Sequence, residues 1–143
     1  MQDRNLNTSW WALRVAYGVV PIVAGLDKFT NLLTDWRAYL SPIAQRILPF
    51  SGTTFMYLVG IVEVVVGILV LTKWTRYAAY VASAWLVCIA LNLLTTGKYF
   101  DIAARDVVMA VGAFTLAKLT EVKEHAGQTS EQAAELRPAR AGA

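Results

Sequence analysis

The chain has 143 residues, of which 57% are hydrophobic and only 16% charged, and its mean hydropathy is +0.47. The apolar residues fall in long runs, which excludes an ordinary soluble domain. The net charge of +3 sits mainly between those runs, which excludes an aromatic-interleaved nucleic-acid face and fits anionic lipid headgroups.

Residues 1–9 read as a polar N-terminal segment. From Trp10 the sequence WWALRVAYGVVPIVAGLDKF supplies about 17 core residues, the short end of what crosses a bilayer. Arg14 lies near its start, close enough to an interface to snorkel. Pro21 removes one helical donor, so a kink is expected there. Arg14, Gly18, Pro21, Gly25 and Lys28 recur at spacings of three and four and share one face. The run contains Arg14 and leads into charged sequence without a small-residue cleavage site, so it reads as a span, not a cleaved leader.

Residues 29–51 are too polar to span. Apolar residues at helical spacing and the pair Ser41-Pro42, a good N-cap and first helical position, predict two short interfacial helices. Residues 55–71 form the second predicted span, with Glu63 near its centre and Gly60 and Gly67 on the same face. The short turn at Lys73, Trp74 and Arg76 makes the third span, 77–94, antiparallel to the second. Cys88 and Asn92 share a face of it, Asn92 as a helix–helix hydrogen-bonding residue and Cys88 as core packing. Residues 102–119 form a fourth span, opened by Arg105 and Asp106. Residues 120–143, without a sustained apolar face, are expected to be a disordered tail.

The predicted fold is therefore all-α: a polytopic four-transmembrane-helix bundle over residues 10–119, with an interfacial helical segment between its first two helices. Four spans place both termini on one side. Discounting Lys28 and Arg105 as interior residues, the basic residues favour cytoplasmic termini.

A carboxylate at mid-bilayer depth costs several kcal/mol, roughly, unless paired or neutralised, so Glu63 must face the bundle interior. Its expected partner is Arg14 or a polar group from the third helix, in a pair that fixes helix register; alternatively Glu63 serves as a proton acceptor or a headgroup-binding group. Lys28 and Asp27 should meet Arg105 and Asp106 at the opposite mouth, either as a salt-bridge network or as a vestibule for an anionic or quinone-like ligand. His125 has no second ligand nearby, and no metal or nucleotide motif is present. The lone Cys88 excludes an internal disulfide and a dithiol motif, so any electrons belong to a cofactor or partner.

Leu13-Arg14 with Gly18, Gly25-Leu26-Asp27-Lys28-Phe29, Gly60 with Glu63, and Gly97-Lys98 leading to Arg105-Asp106 resemble, in order and placement, the DoxX family of small bacterial membrane proteins. The resemblance covers most of residues 10–119. It implies four membrane helices in the bacterial cytoplasmic membrane. It also implies association with thiosulfate oxidation linked to quinone reduction, or with assemblies handling oxidative and thiol stress. A more distant resemblance is to membrane proteins that support methylamine dehydrogenase maturation, though a single cysteine gives a disulfide-handling role no support. The leading expectation is a redox-associated membrane subunit. In it Arg14, Glu63 and Asn92 contribute to a quinone site, and Lys28 and Arg105 guard its entrance. The alternatives are a non-catalytic anchor for another membrane or peripheral protein, or for a second copy of itself, and a small-solute or proton transporter. The bilayer is the expected partner in every case, and nucleic acid in none.

Overall fold

The computed structural model describes residues 4–141, with side-chain surroundings as far as Leu136, and is helical throughout, without a strand among the described residues. The elements are α1 (Arg4–Asp27), a 3-10 turn (Trp36–Tyr39), α2 (Pro42–Ile47), α3 (Gly52–Leu71), α4 (Thr75–Thr95) and α5 (Phe100–Ala141). The 3-10 turn and α2 are the two short helices expected between the first two long ones. Ser41 caps α2, its side chain accepting from the Ala44 N–H, with Pro42 at the first helical position. Ser51 caps α3 in the same way, accepting from Thr54. Gly97, at φ +69°, ends α4 and turns the chain into α5.

Length and composition mark α1, α3 and α4 as able to cross a membrane. The corresponding stretch of α5, residues 102–119, carries Arg105, Asp106 and Lys118, and so stands apart from the other three. α1 already begins at Arg4, inside the segment expected to precede it, and continues through Pro21. At the other end α5 continues as helix to Ala141, where the sequence predicts a disordered tail from residue 120; Gly142 and Ala143 lie outside the described residues. The reason is intrinsic propensity. Ala, Glu, Gln, Lys and Arg prolong a helix already nucleated by its packed portion, although residues 124–136 are all exposed, with Glu124 reaching back to Arg76 at 3.0 Å.

The four long helices form a ring. α1 packs most extensively on α3 and α4 on α5, while contacts of α3 with α4 and of α5 with α1 close the circle. α1 and α3 run antiparallel at very close approach. A Cβ at Gly25 would stand 2.5 Å from the Gly60 carbonyl, and one at Gly67 would stand 2.6 Å from the Gly18 carbonyl. Two glycine rungs, seven residues apart on each helix, thus fix the register of the pair. The α4–α5 seam uses small side chains instead. On α5 the buried positions Ala103, Asp106, Ala110, Ala113, Ala117 and Thr120 alternate spacings of three and four. The buried small residues of the α4 side are Ala78, Ala79, Ala82 and Ala90, and at the far end Thr120 turns to α1, accepting from Trp10 Nε1 at 2.8 Å. Large apolar side chains point outward instead, among them Val19 and Val23 of α1, Ile61 and Val65 of α3, and Val108 and Val111 of α5. Cys88 is on this outer surface. The expectation that it packs in the core fails because α4 is apolar on all sides, which leaves no periodic signal for the buried face.

Candidate functional site

The chain reverses at the end of α1 around one carboxylate. Asp27 accepts hydrogen bonds from the Thr30 hydroxyl (3.1 Å), the Leu32 and Leu33 N–H groups (3.0 and 3.1 Å) and Trp36 Nε1 (2.8 Å). Trp36 is thereby laid over the Lys28 ammonium, 3.7 Å from Nζ to the ring centroid. Lys28 points back into the protein and donates to Glu63 Oε2 at 2.6 Å. The pair is secluded, with side-chain exposures of 4% and 12%. Glycine at position 60 permits this, since a side chain there would crowd Lys28 Cβ and the Phe29 ring.

Glu63 is therefore an interior residue, but its partner is not Arg14. Arg14 donates to the carbonyls of Val70 (3.1 Å), Leu71 (2.6 Å) and Thr72 (2.8 Å). Its guanidinium lies 4.8 and 5.0 Å from the Trp10 and Trp11 rings. The antiparallel register explains this. It sets Arg14 beside the C-terminus of α3, where the last carbonyls lack helical donors and the helix dipole favours a cation. Glu63 is about two turns further along.

The ring of helices leaves a cavity of about 420 Å³ on the diagonal between α1 and α4. Leu13, Ala16, Val20 and Pro21 line it from α1, Val66 from α3, Leu86 and Ile89 from α4 and Met109 from α5. Three side chains with polar atoms join them: Glu63, Tyr17 and Trp85. The Tyr17 hydroxyl donates to the Met109 carbonyl at 2.5 Å, tying α1 to α5. Trp85 Nε1 is buried and completes no hydrogen bond of good geometry among the described residues, although its N–H is turned towards the Glu63 carboxylate. An unmatched donor next to an acidic acceptor is poor packing for an otherwise apolar cavity.

Of the five residues predicted for the site, only Glu63 lines this cavity, with Lys28 behind it. Asn92 serves the connection. Its Nδ2 donates to the Tyr39 carbonyl (2.7 Å) and its Oδ1 accepts from the Ser41 N–H (3.3 Å), so it anchors the 3-10 turn and α2 to α4. Arg105 is 67% exposed and reaches only Asp106, at 4.0 Å. The expected network of Asp27 and Lys28 with Arg105 and Asp106 does not form, because Asp27 is committed to the chain reversal and Lys28 to Glu63. Asp106 is buried on the inner side of α5. Trp85 and Tyr17 escaped the sequence reading. The available signal was position: most Trp and Tyr residues lie near the ends of apolar runs, whereas these two are mid-helix.

Outward-facing aliphatic side chains, long apolar helices and an interior ion pair define a polytopic helical membrane protein. A family model described as DoxX matches residues 9–95, from α1 to the end of α4, and the chain belongs to the DoxX family. The Lys98, Arg105 and Asp106 part of the sequence resemblance lies beyond that match. No curated protein and no solved structure shows significant similarity to the chain.

Proposed function

We propose that this chain is a membrane subunit of a redox-associated complex and that it binds a quinone-type ring in the cavity between α1 and α4. The observation that carries the reading is the pairing of Glu63 with the unpartnered Trp85 Nε1 in an apolar cavity of about 420 Å³, a size suited to a ring headgroup. Trp85 Nε1 would donate to the ring's oxygen substituent, Glu63 beside it would accept from any hydroxyl there, and the side chains of α1 and α4 would enclose its faces. When bound, the quinone would supply the electron chemistry, and a partner protein would deliver or remove the electrons. Lys28 keeps the Glu63 carboxylate oriented from behind.

In this reading α5 is the fourth span. Val107, Val108, Val111 and Phe114 are all exposed on its outer side, and its small-residue stripe packs on α4. The membrane is a bacterial inner membrane with cytoplasmic termini. Burial of Lys28 leaves Arg37, Arg46, Lys98 and Arg105 at one end, against Arg4, Arg14, Lys73, Arg76, Lys118 and Lys123 at the other.

The test is to purify the protein in native-lipid nanodiscs, extract the bound small molecules, and titrate a short-chain quinone while following tryptophan emission. Co-purified quinone, or saturable quenching that Trp85→Phe abolishes, is the expected result. Absence of both overturns the reading. One observation favours a second reading, that of a non-catalytic anchor: Arg14, Asp27 and Asn92 are all satisfied within the chain. In that case Glu63→Gln would abolish assembly with the partner while no ring ligand bound at all.

A further inference from the structure

Two of the three polar groups facing the cavity, Glu63 and Trp85, have opposite hydrogen-bonding character. Glu63, ion-paired with Lys28 at 2.6 Å, presents carboxylate oxygens that only accept, and Trp85 Nε1 only donates. Lys28 does not line the cavity, so its protons are not offered to a ligand. The Tyr17 hydroxyl proton is already given to the Met109 carbonyl. One donor and one acceptor therefore stand side by side, and the acceptor carries the charge.

From this we infer that the cavity discriminates between the two oxidation states of a ring ligand, taking the hydroxyl-bearing hydroquinone headgroup in preference to the quinone. The inference rests on the ring-binding reading above and adds the form that is bound. A quinone oxygen has lone pairs and no hydrogen. It satisfies Trp85 Nε1 but sets its lone pairs against the Glu63 carboxylate. A phenolic hydroxyl satisfies both at once, accepting from Trp85 and donating to Glu63. The second bond is charge-assisted and shielded from water, which makes it one of the stronger classes of hydrogen bond. Binding needs no covalent or redox step, and the proton stays on the ligand oxygen. The recognised chemistry is the hydroxyl on an apolar ring, so a long-chain phenol with a single oxygen should share it.

The experiment uses the full chain in nanodiscs under anaerobic conditions. It is titrated separately with decylubiquinol, decylubiquinone and a long-chain alkylphenol, and followed by calorimetry and by emission that Trp85→Phe removes. The expected result is that the quinol binds about 10- to 100-fold more tightly than the quinone, with the phenol close to the quinol. A phenol that binds like the quinone assigns recognition to the second oxygen and overturns the inference. So do equal affinities for quinol and quinone, which leave the ring-binding reading standing; no binding of any probe removes both.

Glu63→Gln gives the cavity a second donor and should erase or reverse the preference. Trp85→Phe should weaken both oxidation states while leaving the preference in place. If Glu63→Gln does not fold, infrared difference spectra of the unmodified protein replace it. The Glu63 carboxylate band should shift on adding the quinol and stay still on adding the quinone; identical responses overturn the proposal.

Discussion

At one end of the α1–α3 contact, Arg14 gives its protons to three backbone carbonyls at the end of α3; towards the other, Lys28 gives one to the carboxylate of Glu63. The two cations are 14 residues apart, about 21 Å along a helix, on the same face of α1 or just past its end. Arg14 meets a helix terminus, where the partners are neutral dipoles and headgroups or water can stand in for them. Lys28 meets the middle of α3, where no backbone group is free and only an opposite charge offsets its burial. The difference teaches that depth decides which partner a membrane cation must have, and that the deeper partnership is the one exposed to a ligand cavity.

The largest effect should come from breaking the deep pair on one side. Lys28→Met leaves a carboxylate alone in apolar surroundings and should cost about 3–5 kcal/mol, read as lost thermal stability in nanodiscs. Adding Glu63→Leu should recover most of the loss, since two packed apolar groups replace a buried pair well. A double variant no more stable than Lys28→Met would show that the pair does not govern folding at this depth.

Next in size is the close approach that brings the pair together. Gly60→Leu drives a side chain into the Gly25 carbonyl and should cost about 1–3 kcal/mol or more. A spin-label distance between α1 and α3 should lengthen in parallel. Arg14→Met should be milder, about 1–2 kcal/mol for hydrogen bonds to backbone groups near an interface; a loss as large as that of Lys28→Met would erase the contrast between the two ends. The smallest effect is a pH dependence beyond the expected membrane segment. The Tyr80 hydroxyl, and after it Lys118, hold the Glu121 carboxyl below its ordinary range. That contribution is complete above the ordinary carboxylate pKa and is lost as pH falls through the lowered value. Melting curves of the parent and of Glu121→Gln should therefore converge as the pH falls below the ordinary carboxylate range. Curves that stay equally far apart would remove Glu121 from the account.

Local signals in the sequence were sufficient for much of the architecture. Ser41-Pro42 and the apolar run before Leu71 specify their helices because capping and hydropathy act within a few residues. Glu63 was legible as an interior group because hydrocarbon penalises a carboxylate wherever it comes from. Its partner was not legible. Lys28 reaches Glu63 only because Asp27 folds the following loop back and because the glycine rungs set one antiparallel register, and both are tertiary facts. Asn92 was recognised as a hydrogen-bonding residue, but its partners are backbone groups of a connection that no periodicity locates. Trp85 was visible as an aromatic in an unusual mid-helix place, though only the structure shows its indole N–H unmatched.

The glycine rungs also have a consequence for biogenesis. α1 leaves the ribosome long before the helix it fits, and the residues between them form only short helical turns. Until α3 arrives, Lys28 lacks its Glu63 partner and should stay at the bilayer surface with the Asp27 turn. Docking of α3 then carries the ammonium inward, so the first helix reaches its final depth only when its neighbour is synthesised, and a chain truncated before residue 63 should leave Lys28 open to water-borne amine reagents.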